Sequence, residues 1–265
     1  MFIFKSWVEQ LHIKFPHVTY RGLYGAAHPN FSNFIDIGML AVIEPATSVY
    51  KTSESENSKN IKFLNYSSNK DMKASHFEPT AAQNVAELFL PCCDNDESVT
   101  DRIHSSINEA LLNATDWAYD GLSIPQSEQN WWLTGISNEE LNRIIILVYD
   151  QGASLPYHFS NTRLKEVQQL TIDLGLSDNP SDKSILKAAI EFGKSEYRAY
   201  ISDGAGRGLR QMRELTADFR VGKFLISSGY GILRHDMLNG VITTLEVREQ
   251  EYKLPGTLIY WELEA

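Results

Sequence analysis

Cysteine is nearly absent from this 265-residue chain: there are two, and they are adjacent, Cys92 and Cys93. Neighbouring thiols without a separated partner cannot form a disulfide framework, which excludes a small stapled secreted fold. They read as thiols packed at a helix end; metal binding and oxidant sensing are the other uses of such a pair. Histidine is sparse as well: seven are scattered with no His-x-x-x-His spacing, and no Cys-x-x-Cys occurs, so a dedicated zinc site is not expected. Long uncharged hydrophobic runs are missing, so no membrane span is expected. The opening Met1-Phe-Ile-Phe-Lys5 brings charge too early for a signal peptide. A cytoplasmic protein is the expectation. Positive charge is also short, with 24 Lys and Arg against 34 Asp and Glu and a net charge of -10. That balance argues against a nucleic-acid partner or an anionic membrane surface, both of which need clustered Lys and Arg. Neither a Walker-type loop nor a Gly-x-Ser-x-Gly elbow is present.

What is there is ordinary globular material. Hydrophobic residues make up 43% and charged residues 22% of the chain, and the length holds one large or two modest domains. Residues 1–78 form a small α/β segment by pattern. An amphipathic stretch at 6–14 and an apolar helix at 33–43 are followed by a polar loop at 52–60 and a strand at 61–66. From residue 79 the pattern predicts helices at 81–90 and 101–119, then paired strands at 131–135 and 143–149. A helix at 184–192 follows, then another running to about 219, and strands at 223–227, 241–247 and 257–263. Trp131 and Trp132 are neighbours on a strand and point to opposite faces, so at most one is expected in the core.

Four segments carry chemistry. The first is Glu109-Ala-Leu-Leu-Asn113-Ala-Thr-Asp116, where helical spacing lines up an acid, an amide and a second acid on one face. An amide oxygen there can ligate Mg²⁺ and a carboxylate can orient a water, although a polar stripe is also the usual solvated side of a helix. The second is the apolar run Ile144-Ile-Ile-Leu-Val-Tyr149, delivering Asp150-Gln-Gly152-Ala-Ser154; an Asp there can accept a hydrogen bond from the exocyclic amine of adenine. The third, Asp203-Gly204-Ala-Gly206-Arg207-Gly208-Leu209, leads glycines into a helix. Backbone N–H groups of such a loop turn toward an anion, and the helix N-terminus adds partial positive charge. The fourth is Gly256-Thr257 at the start of the last strand. Each has a structural alternative: an ordinary turn, a hinge, a hairpin.

In this order and spacing the four segments resemble the boxes of the GHKL (Bergerat-fold, histidine kinase-like) ATPases. That superfamily includes gyrase-type topoisomerases, sensor histidine kinases and anti-sigma-factor serine kinases. The resemblance covers roughly the last two-thirds of the chain. It implies a two-layer α/β sandwich, a mixed sheet with helices on one face, over 79–265, preceded by a small α/β segment that faintly resembles a STAS domain. It also implies ATP and Mg²⁺ as ligands, with Glu109 as catalytic base and Asn113 on the metal. Asp116, Asp150, Gly152, Gly204, Gly206, Arg207, Gly208, Leu209 and Thr257 are then expected around the nucleotide, and 155–202 corresponds to the ATP lid, its helix moving as a unit. Two departures stand out: Ser154 replaces the second glycine of the first glycine box, and Asp116-Trp117 follows the Asn where histidine kinases carry a basic residue. The Asn-x-x-Asp spacing is closer to the gyrase branch, which takes a catalytic lysine from a following domain; a partner protein or a homodimer is expected to supply it here. The implied activity is slow ATP hydrolysis or γ-phosphoryl transfer to a regulatory protein. The alternative is a nucleotide-gated interaction module that needs no turnover.

Overall fold

A computed structural model describes residues 61–67, 77–125, 129–162, 168–169, 172–175, 180–191 and 207–265. The expected elements at 6–14 and 33–43 and the loop at 52–60 lie outside these residues, as do Gly204 and Gly206. Five strands form one sheet: β1 (Ile61–Ser67), β2 (Trp131–Asn138), β3 (Arg143–Asp150), β4 (Val221–Leu238) and β5 (Val241–Glu264), in spatial order β1-β2-β3-β5-β4. Its helices are α1 (Phe77–Leu88), α2 (Glu97–Leu112), α3 (Leu155–Thr162), α4 (Asp182–Glu191) and α5 (Arg207–Glu214). The architecture is α/β. No described helix is long and apolar enough to cross a membrane.

Two features of the sheet follow from its pairing. Among the described residues every pairing is antiparallel, where the resemblance implies a mixed sheet. The reason is local: β2–β3 and β4–β5 are joined by short turns at 139–142 and at Asn239-Gly240, and such connections return the chain antiparallel. Strand β1 also pairs with β2 along its whole length, from Ile61 opposite Asn138 to Ser67 opposite Trp132. The sheet therefore takes its edge from the segment that sequence assigns to residues 1–78.

Alternation sets the core. Ile144, Ile146 and Val148 of β3 are buried, and the register puts them beside Leu263, Trp261 and Ile259 of β5. Phe224 and Ile226 of β4 extend the same face. Helix α2 lays Ile103, Ile107, Ala110 and Leu111 onto it. Its start is fixed by Asp96, whose Oδ1 accepts from Ser98 N at 2.8 Å. Gly135 of β2 lets α1 approach closely, since a Cβ there would stand 2.7 Å from Val85 Cγ1. Trp261 Nε1 donates to Met212 O at 2.9 Å, satisfying its polar edge inside the core.

Both tryptophans of the Trp131-Trp132 pair are buried, and only Trp131 belongs to the main core cluster. Trp131 faces the helices, while Trp132, on the opposite face, stacks on Tyr149 with ring centroids 5.7 Å apart. The cysteines are packing residues. Cys92 Sγ lies 3.2 Å from Ser137 Oγ, and burial pushes the Cys93 thiol up to about 12, which leaves it protonated and unreactive.

Strands β4 and β5 form one long hairpin that bends at Gly229-Tyr230-Gly231. Asp182, the first residue of α4, holds the bend: its Oδ2 accepts from Tyr230 N at 2.7 Å. Helix α4 buries Ile185, Leu186, Ala188, Ala189 and Ile190, and a Cβ on Gly231 would come within 2.7 Å of Leu186 Cδ1. Helix α4, which the resemblance assigns to the lid, packs this apolar side against the bent hairpin. Its apolar side has no other place to go once the bent hairpin lies against it.

Candidate functional site

Sheet register builds the floor of the site. At one end of the sheet Trp131 lies opposite Asp150, Asp150 opposite Thr257, and Thr257 opposite Ser228. The four form a row on the helix-facing side, and all four are buried. Ser228 Oγ accepts from Leu155 N at 2.8 Å and lies 3.0 Å from Gly256 O and 2.9 Å from Thr257 Oγ1. A short polar network thus ties the last strand to the start of α3.

The roof comes from the end of α2. After Leu112 the chain makes a wide π-type turn, Asn113–Trp117, a local irregularity that recurs at functional positions. Asn113 faces the row below. The extra residue in the turn displaces Asp116, which is exposed and accepts from Thr115 Oγ1 at 3.2 Å. Between floor and roof lies a cavity of about 20 Å³ whose walls include Asn113, Trp117, Asp150, His158 and Thr257. That is room for about one water molecule. Trp117 and His158 stand together in this lining, with ring centroids 5.5 Å apart. An open cleft of about 470 Å³, lined by Gly152, Ser154, Tyr157, Lys253 and Gly256, adjoins it at Ala153.

Asp150 is the chemically distinctive group. Its carboxyl is fully buried, accepts from Gly152 N at 2.9 Å, and is pushed up to about 8 by burial. Backbone donors from Gly152 and Thr257 offset this in part. Gly152 lies against the backbone of Ala118, where any side chain would collide, and Ala153 N donates to Ala118 O at 2.5 Å. The loop after β3 is therefore sewn onto the end of the π turn.

Tyr119 makes the same join from the other side. Its hydroxyl donates to Asn130 O at 2.6 Å and accepts from Asn130 N at 3.0 Å and Gln151 N at 3.2 Å. Tyr119→Phe should lower stability by about 1–3 kcal/mol, because it strands these backbone groups away from water. Urea unfolding of the two proteins measures the difference.

Glu109, one turn before Asn113, stands apart from the small cavity. Its carboxylate reaches the first turn of α5, where a Cβ on Gly208 would strike Oε2, and burial raises its pKa. Arg207 is the first residue of α5, and the Leu209 side chain is buried in the core. So Asn113, Asp150 and Thr257 are gathered at one cavity, Gly152 lines the adjoining cleft, and Glu109 meets Gly208 apart from both. Sequence reasoning missed Trp117, Tyr119, His158 and Ser228. Ser227-Ser228 in an otherwise apolar strand was the available signal for one of them. No protein-family model matches the chain, and no curated protein matches it either.

Proposed function

We propose that this is a GHKL-type nucleotide site that binds Mg-ATP, with adenine on Asp150 and the phosphates toward the N-terminus of α5. One observation carries the reading: Asn113, Asp150 and Thr257, from three distant segments, line the same cavity. A buried carboxyl held by backbone donors suits a ligand that brings its own N–H. Thr257 stands beside it for a second polar contact with the base.

Among the described residues no group of three or more His, Cys, Asp and Glu is gathered around a metal position. A magnesium ion here would take Asn113 from the protein and its other ligands from phosphate and water. When bound, it would neutralise developing charge on the phosphates. Glu109 is the group suited to take a proton from the nucleophile. Burial raises its basicity, and the backbone of Gly208 holds the start of α5 beside it. Water as nucleophile makes the protein an ATPase; a partner's hydroxyl makes it a protein kinase of the anti-sigma-factor type. The second reading, a nucleotide-gated interaction module, rests on Trp117 and His158, which must part to admit a base.

Labelled γ-phosphate ATP separates these outcomes. Glu109→Gln should bind ATP as the wild type does and lose turnover by roughly 10²–10⁴-fold, whether the label leaves as free phosphate or enters a partner. Asn113→Ala should lose the magnesium dependence of binding. Turnover equal in Glu109→Gln and wild type removes Glu109 from the mechanism, and retained biological activity without turnover favours the gated module.

A further inference from the structure

The β4–β5 hairpin runs beyond the bend at Gly229-Tyr230-Gly231 as a two-stranded ribbon. Over residues 241–254, β5 is paired with β4 on one side, and among the described residues no strand pairs with its other side. This open edge carries large apolar side chains in water: Val241 is 65%, Ile242 56%, Leu245 52% and Tyr252 76% exposed. Long open edges of this kind recruit another strand unless they are blunted.

The sequence of the edge says which strand. In a symmetric antiparallel pair of identical edges, the two-fold axis is perpendicular to the sheet and passes through one residue, which faces its own copy. With the axis at Val247, Glu246 of each chain faces Arg248 of the other, twice. Thr244 faces Gln250, and Ile242 faces Tyr252, also twice. Moving the axis one residue either way sets Glu246 against Glu246 or Arg248 against Arg248; one residue further on, Glu249 meets Glu249. Like charges directly opposite are destabilising and opposite charges stabilising, so one register is selected over its neighbours. Glu246 and Arg248 are 50% and 63% exposed and form a long ion pair within one chain, Arg248 Nε to Glu246 Oε1 at 3.7 Å, with Arg234 opposite Glu246 on β4. The symmetric pairing exchanges this contact for the reciprocal one between chains.

We propose that the chain forms a two-fold homodimer by antiparallel pairing of the β5 edge over residues 241–253, centred on Val247. The occupant of the edge is a second copy of this chain, and the selecting chemistry is the reciprocal Glu246–Arg248 pair. The interface lies on the ribbon, beyond the bend from the Asp150 cavity, so its test needs no nucleotide.

Sedimentation velocity of the full-length protein across the micromolar range, without ATP, is the experiment. Wild type should dimerise reversibly. Glu246→Arg and Arg248→Glu should each weaken the dimer by about tenfold or more, because each sets two like-charged pairs across the axis. The double variant Glu246→Arg with Arg248→Glu restores complementarity and should dimerise again. Circular dichroism melting confirms that each variant is folded, and the double variant keeps the test sharp if one single variant is not. A wild type that stays monomeric throughout overturns the proposal. So does a dimer indifferent to both single reversals, or a double variant no better than either.

Discussion

Asp150→Asn should weaken ATP binding at the proposed site and make the empty protein more stable. The carboxyl is buried with no cation beside it among the described residues, and its pKa is raised from 3.8 to about 8. Between those values the folded state holds a proton that the unfolded state has released. Stability from this group is therefore full below 3.8, falls as pH rises through the window, and levels off above about 8. At about 1.4 kcal/mol per unit the accumulated loss is a few kcal/mol. Asparagine does not ionise, so the melting temperature of Asp150→Asn should exceed that of wild type by a margin that widens from acid to alkaline pH. ATP affinity should move the opposite way. The proposed contact to adenine is made by the ionised carboxylate, so wild-type affinity should climb through the same window. The substitution should cost roughly 1.5–3 kcal/mol, the value of a charge-assisted hydrogen bond. Calorimetry and thermal melts across the pH range read both effects. Equal ATP affinity in the two proteins would remove adenine from Asp150, and parallel melting curves would mean the carboxyl is ionised in the folded state.

Gly256→Ala should be among the most damaging single-methyl changes in the chain. Gly256 has φ of +75°, and a Cβ there would run into the backbone carbonyl of Asp150. The left-handed conformation costs a side chain about 1–2 kcal/mol, and the collision is with main chain that cannot swing aside. A total of about 3 kcal/mol or more is expected. Gly240 is the control: it has the same φ of +75°, but a Cβ there meets nothing within 4 Å. Gly240→Ala should cost the conformational part alone. The difference between the two variants in urea unfolding isolates the close approach; if they are equal, the loop before Thr257 yields without resistance.

The sequence made certain things plain because they are local. The apolar run 144–149, the stripe on α2 and the glycine before Thr257 each announce an element or a turn, and strands and helices occur close to where those patterns lie. Long-range facts were less visible. Strand direction depends on partners distant in the chain, so an antiparallel sheet was expected to be mixed. Gly229 and Gly231 look like breaks, yet they bend one continuous strand around α4. An amphipathic helix has the same pattern whether it moves or is built in; α4 buries its apolar side against the hairpin. Helical spacing put Asp116 on the stripe with Glu109 and Asn113, but the π turn at Asn113–Trp117 breaks that spacing after Asn113. Asp150 could be singled out by its place after an apolar run. Its pairing with Thr257 and Ser228 exists in the register alone.

The smallness of the cavity between Asn113 and Asp150 has a kinetic meaning. At about 20 Å³ it is far below the few hundred Å³ of an ordinary ligand pocket, so on the proposed reading a planar base enters only once Trp117 and His158 separate. The protein that accepts it is then a minority species, and the observed dissociation constant is the intrinsic one divided by that minority's share. If the proposed site binds a base in this way, a substitution that thins the pair, such as His158→Ala, should tighten binding without adding one contact to the ligand. The closed pair acts as a reserve of affinity, released whenever something else holds the gate apart.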